Sequence, residues 1–76
     1  MKEFVEFIAR HLVDHPELVG LESAVRDDKV IFTLKVATQD IGKVIGRKGR
    51  TAQAMRVLLA AVAAREGKRV ILEIAE

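Results

Sequence analysis

The sequence predicts an α+β fold with the element order α-β-β-α-α-β, and three patterns in it carry that expectation. Apolar residues recur at helical spacing near the N-terminus, residues 29 to 37 alternate with the period of a strand, and two helical runs meet at Gly46-Arg47-Lys48-Gly49 before a last apolar strand. Half of the 76 residues are apolar. That suffices for one modest core, so residues 1 to 76 are expected to form a single domain burying roughly 60% of the surface its unfolded chain exposes.

Each element follows from local chemistry. Phe4, Phe7, Ile8, His11 and Leu12 are spaced to share one helix face, so residues 2 to 14 read as an amphipathic helix that stops near Pro16. Leu21 to Arg26 leads through a turn at Asp27-Asp28 into Lys29 to Ala37, where Val30, Phe32, Leu34 and Val36 alternate with Ile31, Thr33 and Lys35. That pattern is a half-buried hairpin. Asp40 is placed to cap a short helix whose apolar face is Ile41, Val44 and Ile45. After the loop a longer helix runs to about Glu66, with Ala52, Met55, Leu58, Leu59 and Val62 toward the core. Gly67 stops it, and Arg69 to Ile74 form the last strand. The helical link between the second and third strands supports parallel pairing, which makes the three-stranded sheet mixed.

Charge is distributed unevenly along this frame. Residues 41 to 65 hold six basic side chains and no acidic one, leaving seven basic and eleven acidic residues, a sum of −4, for the rest of a chain whose net charge is +2. Positive charge gathered around one loop and the helix after it points to a polyanion partner. Two glycines separated by two residues let the backbone turn tightly and approach a ligand without Cβ interference. Arg47 and Lys48 project from the tip, Arg50 and Thr51 follow, and the free N–H groups of the next helix face the same space.

Spacing excludes the common mononucleotide and dinucleotide loops. A Walker loop needs two glycines with four residues between them, followed by Lys-Ser/Thr, but Arg47 stands five residues after Gly42 and Val44 five before Gly49. The dinucleotide fingerprint fails at Val44 as well. By itself G-x-x-G also fits an ordinary helix–turn–helix connection with glycine at a helix C-terminus. The residues around it are more specific. Ile-Gly-x-Val-Ile-Gly-Arg-Lys-Gly-x-x-Ala, within residues 40 to 64, resembles the signature of the KH (K-homology) domain.

The α-β-β-α-α-β order resembles the type II, or prokaryotic, arrangement of that fold, three strands with the helices packed on one face. At this length the chain resembles the small single-domain bacterial KH proteins of the KhpA type. The resemblance implies a cytoplasmic single-stranded RNA-binding protein, an RNA chaperone or post-transcriptional regulator, that forms dimers and pairs with a larger KH-containing protein. It also implies a role in cell-envelope (peptidoglycan) and cell-shape homeostasis. In KH domains the loop clamps the backbone of about four nucleotides, with the bases along a groove between the two helices and a sheet edge. Carried over by residue, Gly46 and Gly49 would set the backbone path and Arg47 and Lys48 would neutralise phosphates, while Arg50 and Lys43 would widen the positive rim. Ile41, Val44 and Ile45 would line the groove floor with Leu34 or Val36, a place that also suits core packing.

Three phenylalanines are the only aromatic rings of the Phe, Tyr and Trp type. Phe4, Phe7 and Phe32 all fall on faces expected to be core, so base stacking of the kind seen in other RNA-binding folds is not expected. One module should therefore bind weakly and with shallow sequence preference. The side of the long helix away from its core residues carries Ala54, Val57, Ala60, Ala61 and Ala64. This small-residue face is read either as a homodimer or heteromer contact or as alanines serving helix propensity alone.

Other functions find less support. His11, Asp14 and His15 lack a third strong ligand for a metal, and no metal or cofactor is expected. Ser23 is the only serine, there is no cysteine, and the carboxylates are dispersed, which disfavours an enzyme. No run approaches the roughly 20 apolar residues of a membrane span, and Lys2, Glu3 and Glu6 do not resemble a signal peptide, so a cytoplasmic protein is expected. The competing reading is a protein–protein adaptor or dimerisation module with little RNA contact of its own. The two cations at the loop tip favour RNA.

Overall fold

A computed structural model describes residues 1–75. The chain runs through α1 (Lys2–Leu12), β1 (Gly20–Arg26), β2 (Lys29–Lys35), α2 (Ile41–Ile45), α3 (Arg50–Arg65) and β3 (Arg69–Ala75), with single 3₁₀ turns at Pro16–Leu18, Thr38–Asp40 and Arg47–Gly49. This is the expected α-β-β-α-α-β order. β2 lies at the centre of the sheet, antiparallel to β1 and parallel to β3. A two-residue turn, with Asp27 at φ 54°, closes the hairpin, and the α2–α3 crossover carries the chain back to lay β3 beside β2 in the same direction.

The helices cover one face of this sheet. Leu21, Phe32, Leu34 and Leu72 on that face meet Val5, Ala9, Val44, Met55 and Leu59 from the three helices in a single apolar core. Leu34, Leu59, Val5 and Val44 are fully buried, each contributing roughly 1.5–3 kcal/mol of hydrophobic stabilisation. Gly67, at φ 67°, ends α3 as its sequence position suggests. Its N–H donates to the Ala64 carbonyl and that of Lys68 to the Ala63 carbonyl, so the last carbonyls are satisfied as the chain turns into β3. The guanidinium of Arg56 donates twice to the Leu72 carbonyl, at 3.2 and 3.3 Å, bracing α3 against β3.

Two helix faces differ from expectation. In α1 the inward stripe is Val5, Ile8, Ala9 and Leu12, at the i, i+3, i+4, i+7 spacing of a helix face. Phe4 and Phe7 are therefore outside the core, 40% and 61% exposed, and the Phe7 ring packs on His11 with centroids 4.3 Å apart. In α3 the buried residues are Ala52, Met55, Leu59 and Ala63, while Leu58 and Val62 are 49% and 41% exposed. Small alanines at both ends of the buried stripe let the helix lie close to its neighbours, and neighbouring positions are 100° apart on the wheel. Boundaries also move slightly: α1 stops at Leu12 because Val13 is extended, and β2 stops at Lys35, with Val36 and Ala37 buried beyond it.

This rotation of α3 has a direct check in urea unfolding. Leu59→Ala should cost about 2–5 kcal/mol through cavity formation, whereas Leu58→Ala should change stability by no more than about 1 kcal/mol. Equal losses would return Leu58 to the core.

Candidate functional site

α2 has five residues and is anchored at both ends. At its start the carboxylate of Asp40 is completely buried. It accepts a hydrogen bond from the backbone N–H of His15 at 3.0 Å and lies 3.1 Å from His15 Nδ1 and 3.5 Å from Lys43 Nζ. Lys43 also donates to Asp14. The connector between α1 and β1 is thus tied to the first turn of α2. Asp40 does occupy the N-cap position, but its side chain bonds no N–H of α2, in contrast to the capping role expected of it. The carboxylate is turned toward His15 instead.

Burial alone would raise the Asp40 pKa, but the backbone amides of Asp14 and His15, followed by the His15 imidazole, outweigh it and hold the carboxyl below its ordinary range. A carboxyl with a depressed folded pKa stabilises the protein above its unfolded value, near 4, and loses that contribution as the pH falls through the folded value. The hydrogen bond to Asp14 is the main reason that the Lys43 pKa is raised. Lys43 is therefore committed to two carboxylates and adds little to a positive rim.

At its other end, α2 closes with the Gly46 N–H donating to the Gly42 carbonyl at 2.9 Å. Gly46 has φ 77° and ψ 174°, a region essentially reserved for glycine. A Cβ placed there would stand 2.2 Å from Thr51 Oγ1 and 2.9 Å from the Thr51 nitrogen. The first turn of α3 packs onto the space left by that missing atom. Lys48 at φ 57° and Gly49 at φ 73° are both left-handed, and the Gly49 N–H donates to the Gly46 carbonyl at 3.1 Å. A lysine in this conformation costs about 1 kcal/mol or more.

The loop presents Arg47, Lys48 and Arg50 to solvent. Among the described residues none of the three has a carboxylate within 4.0 Å. The Arg50 N–H returns to the Arg47 carbonyl. No side chain caps α3, so its next N–H groups stay open to an anion beside those cations. Together, the glycines, the three exposed cations and the open helix terminus make a surface whose chemistry suits an anion.

The expected apolar floor is divided. Ile45 is 38% exposed and Ile41 half-buried, so both retain apolar surface near the loop. Val44 and Leu34 are fully buried and Val36 nearly so, which makes them support beneath the surface. On α3, Ala54, Val57, Ala61 and Ala64 are exposed as one unpartnered face, widened by Leu58 and Val62. The histidines are engaged separately: His15 with Asp40, and His11 donating from Nδ1 to the Phe7 carbonyl at 2.8 Å. The tie from Asp14-His15 to Asp40-Lys43 was missed in the sequence. Its only local sign is a polar Asp-His pair at the end of an apolar helix face.

A family model described as KhpA/KhpB, KH domain matches residues 2–74. The chain is 47% identical over 74 residues to the RNA-binding protein KhpA of Clostridium perfringens (strain 13 / Type A), covering 97% of this chain and 99% of that protein. It is 49% identical over 76 residues to that of Chlamydia muridarum (strain MoPn / Nigg), covering 100% and 97%, and 41% identical over 76 residues to that of Aquifex aeolicus (strain VF5), covering 100% and 96%.

The two loop glycines should not tolerate substitution equally. Gly46→Ala combines a forbidden backbone region with a clash and should cost about 3 kcal/mol, while Gly49→Ala, with open space around it, should cost about 1 kcal/mol. Thermal melts of the two variants measure the difference, and equal losses would contradict the packing of Thr51 on Gly46.

Proposed function

The chain belongs to the KhpA/KhpB family of KH domains, and on that basis we propose that it is a single KH domain that binds single-stranded RNA in the cytoplasm. The observation carrying this reading is the trio Arg47, Lys48 and Arg50, without an ion-pair partner among the described residues, around a left-handed loop that opens onto an uncapped helix N-terminus. Arg47 and Lys48 neutralise successive phosphates, Arg50 flanks them, and the first-turn N–H groups of α3 donate to the remaining anionic oxygens. Ile41 and Ile45 offer aliphatic surface to the bases, and the buried Val44 holds them up. Such contacts give modest affinity and shallow sequence preference, properties suited to an RNA chaperone or post-transcriptional regulator. Any influence on cell envelope or shape then acts through bound RNA. Within this family the chain is a binding protein and not an enzyme.

Weak sites gain from being linked. The α3 face is the proposed contact for a second copy or for a larger KH-containing partner. Val57, Leu58 and Val62, 59%, 49% and 41% exposed, join Ala54 and Ala61 in an i, i+3, i+4, i+7, i+8 stripe that supports helix–helix packing. The same face supports the adaptor alternative. Among the described residues, no helix is long and apolar enough to cross a membrane.

A labelled single-stranded RNA tetranucleotide, short enough to occupy the loop alone, provides the test of the clamp. Binding should fall with salt along a log–log slope of about −3 for four phosphate contacts, and Arg47→Asp/Lys48→Asp, folded by circular dichroism, should abolish it. Equal binding by both proteins would move the site elsewhere, and no binding by either would favour the adaptor. For the α3 face, sedimentation should show self-association at micromolar concentration that Val57→Asp removes. A monomer throughout that range would remove the homodimer from the proposal.

A further inference from the structure

The face of the sheet turned away from the helices has an order visible only from strand register. Arg26 pairs with Lys29, and Lys29 with Arg69, so three cations stand side by side across β1, β2 and β3. The next row is Ala24, Ile31 and Ile71, and the one beyond it Glu22, Thr33 and Glu73. With strands about 4.8 Å apart, the cation row is about 10 Å wide, and successive rows on one face lie about 7 Å apart.

Like charges placed directly opposite in a sheet repel, and although Asp27 and Asp28 share a groove with Lys29, Lys68 and Arg69, no ion pair among the described residues neutralises the row. Arg26, Lys29 and Arg69 are all exposed. Among the described residues none has a carboxylate within 4.0 Å, although Asp27 and Asp28 lie in the adjoining turn and Glu66 just before Gly67. On the same sheet face, by contrast, Lys35 pairs with Glu22 at 3.0 Å. Lys68 adds a fourth exposed cation, lining one surface groove with Lys29 and Arg69. Side chains held in this arrangement favour an anion from outside the molecule.

We propose that Arg26, Lys29 and Arg69 form a second contact for the phosphodiester backbone of single-stranded RNA, with bases resting on the apolar row Ala24, Ile31 and Ile71. A narrow line of charge suits a chain better than a plane. An anionic membrane laid on this face would also meet Glu22 and Glu73, about 13 Å from the cation row. The loop belongs to the helical layer and this row to the opposite side of the sheet, so one molecule can hold two RNA segments at once. The inference takes its ligand from the RNA-binding reading above, but its site is independent of the loop.

The test compares the unaltered protein, Arg26→Gln/Lys29→Gln/Arg69→Gln and Arg47→Asp/Lys48→Asp on a tetranucleotide and on a 20-nucleotide single strand. The tetranucleotide fits the loop alone, and its affinity should be unchanged in the triple Gln variant. Affinity for the 20-mer should fall about tenfold at low salt, with the salt slope shallower by about 2 for three lost contacts. The melting temperature should hold or rise, because repulsion within the row is removed. If the triple variant fails to fold, Arg69→Gln alone should lower the slope by about 0.7. Unchanged 20-mer affinity and slope would overturn the proposal. So would loss of binding to phosphatidylserine vesicles with RNA binding intact, which would assign the row to a membrane. If the loop variant binds normally while the Gln variant fails, the clamp reading is lost and the sheet contact stands.

Discussion

The turn from α2 into α3 depends on one missing atom. Thr51 packs where a Cβ of Gly46 would be, and this close approach lets α3 begin within a few residues of the end of α2. From that constraint follow the left-handed Lys48 and Gly49, the projection of Arg47, Lys48 and Arg50, and the open first turn of α3 among them. The buried Asp40 carboxylate secures the other end of α2 by gripping the backbone of His15, 25 residues earlier in the chain. A five-residue helix has little stability of its own. It becomes a rigid base for the loop because both of its ends are fixed.

Electrostatics then divide the surface by role. Lys43 is neutralised by Asp14 and Asp40 and serves the fold, while the loop cations a few residues later have no intramolecular partner among the described residues. The outer sheet face repeats this division: Lys35 is paired with Glu22, and among the described residues the row Arg26, Lys29 and Arg69 is not paired. Formal net charge is only +2, so long-range attraction to a polyanion is modest and local arrangement matters most. The α3 stripe exposes Val57, Leu58 and Val62, and a partner on it would let weak RNA contacts act together.

Much of this was legible in the sequence, for identifiable reasons. Element order came from periodicity, the hairpin from alternation around Asp27-Asp28, the end of α3 from Gly67, and the loop from the paired glycines with their cations. These signals are local. The faces of α1 and α3 were misjudged because large residues, Phe4, Phe7, Leu58 and Val62, seemed better core material than Ala9, Ala52 and Ala63. A close-packed layer selects the residue that fits, and small ones permit near approach. The grip of Asp40 on His15 joins distant segments, and the cation row exists only once strand register is fixed. Lys43 looked like its neighbours in sequence, and only the fold brings Asp14 to it.

An NMR titration of the isotope-labelled protein with a single-stranded tetranucleotide would locate the phosphate contact residue by residue. The loop and helix terminus as described predict the largest salt-sensitive amide shifts from Gly46 to Gln53, with smaller changes at Ile41 and Ile45. Saturating shifts elsewhere with a silent loop would contradict the assignment of Arg47, Lys48 and the α3 N-terminus as the place where the RNA backbone is held.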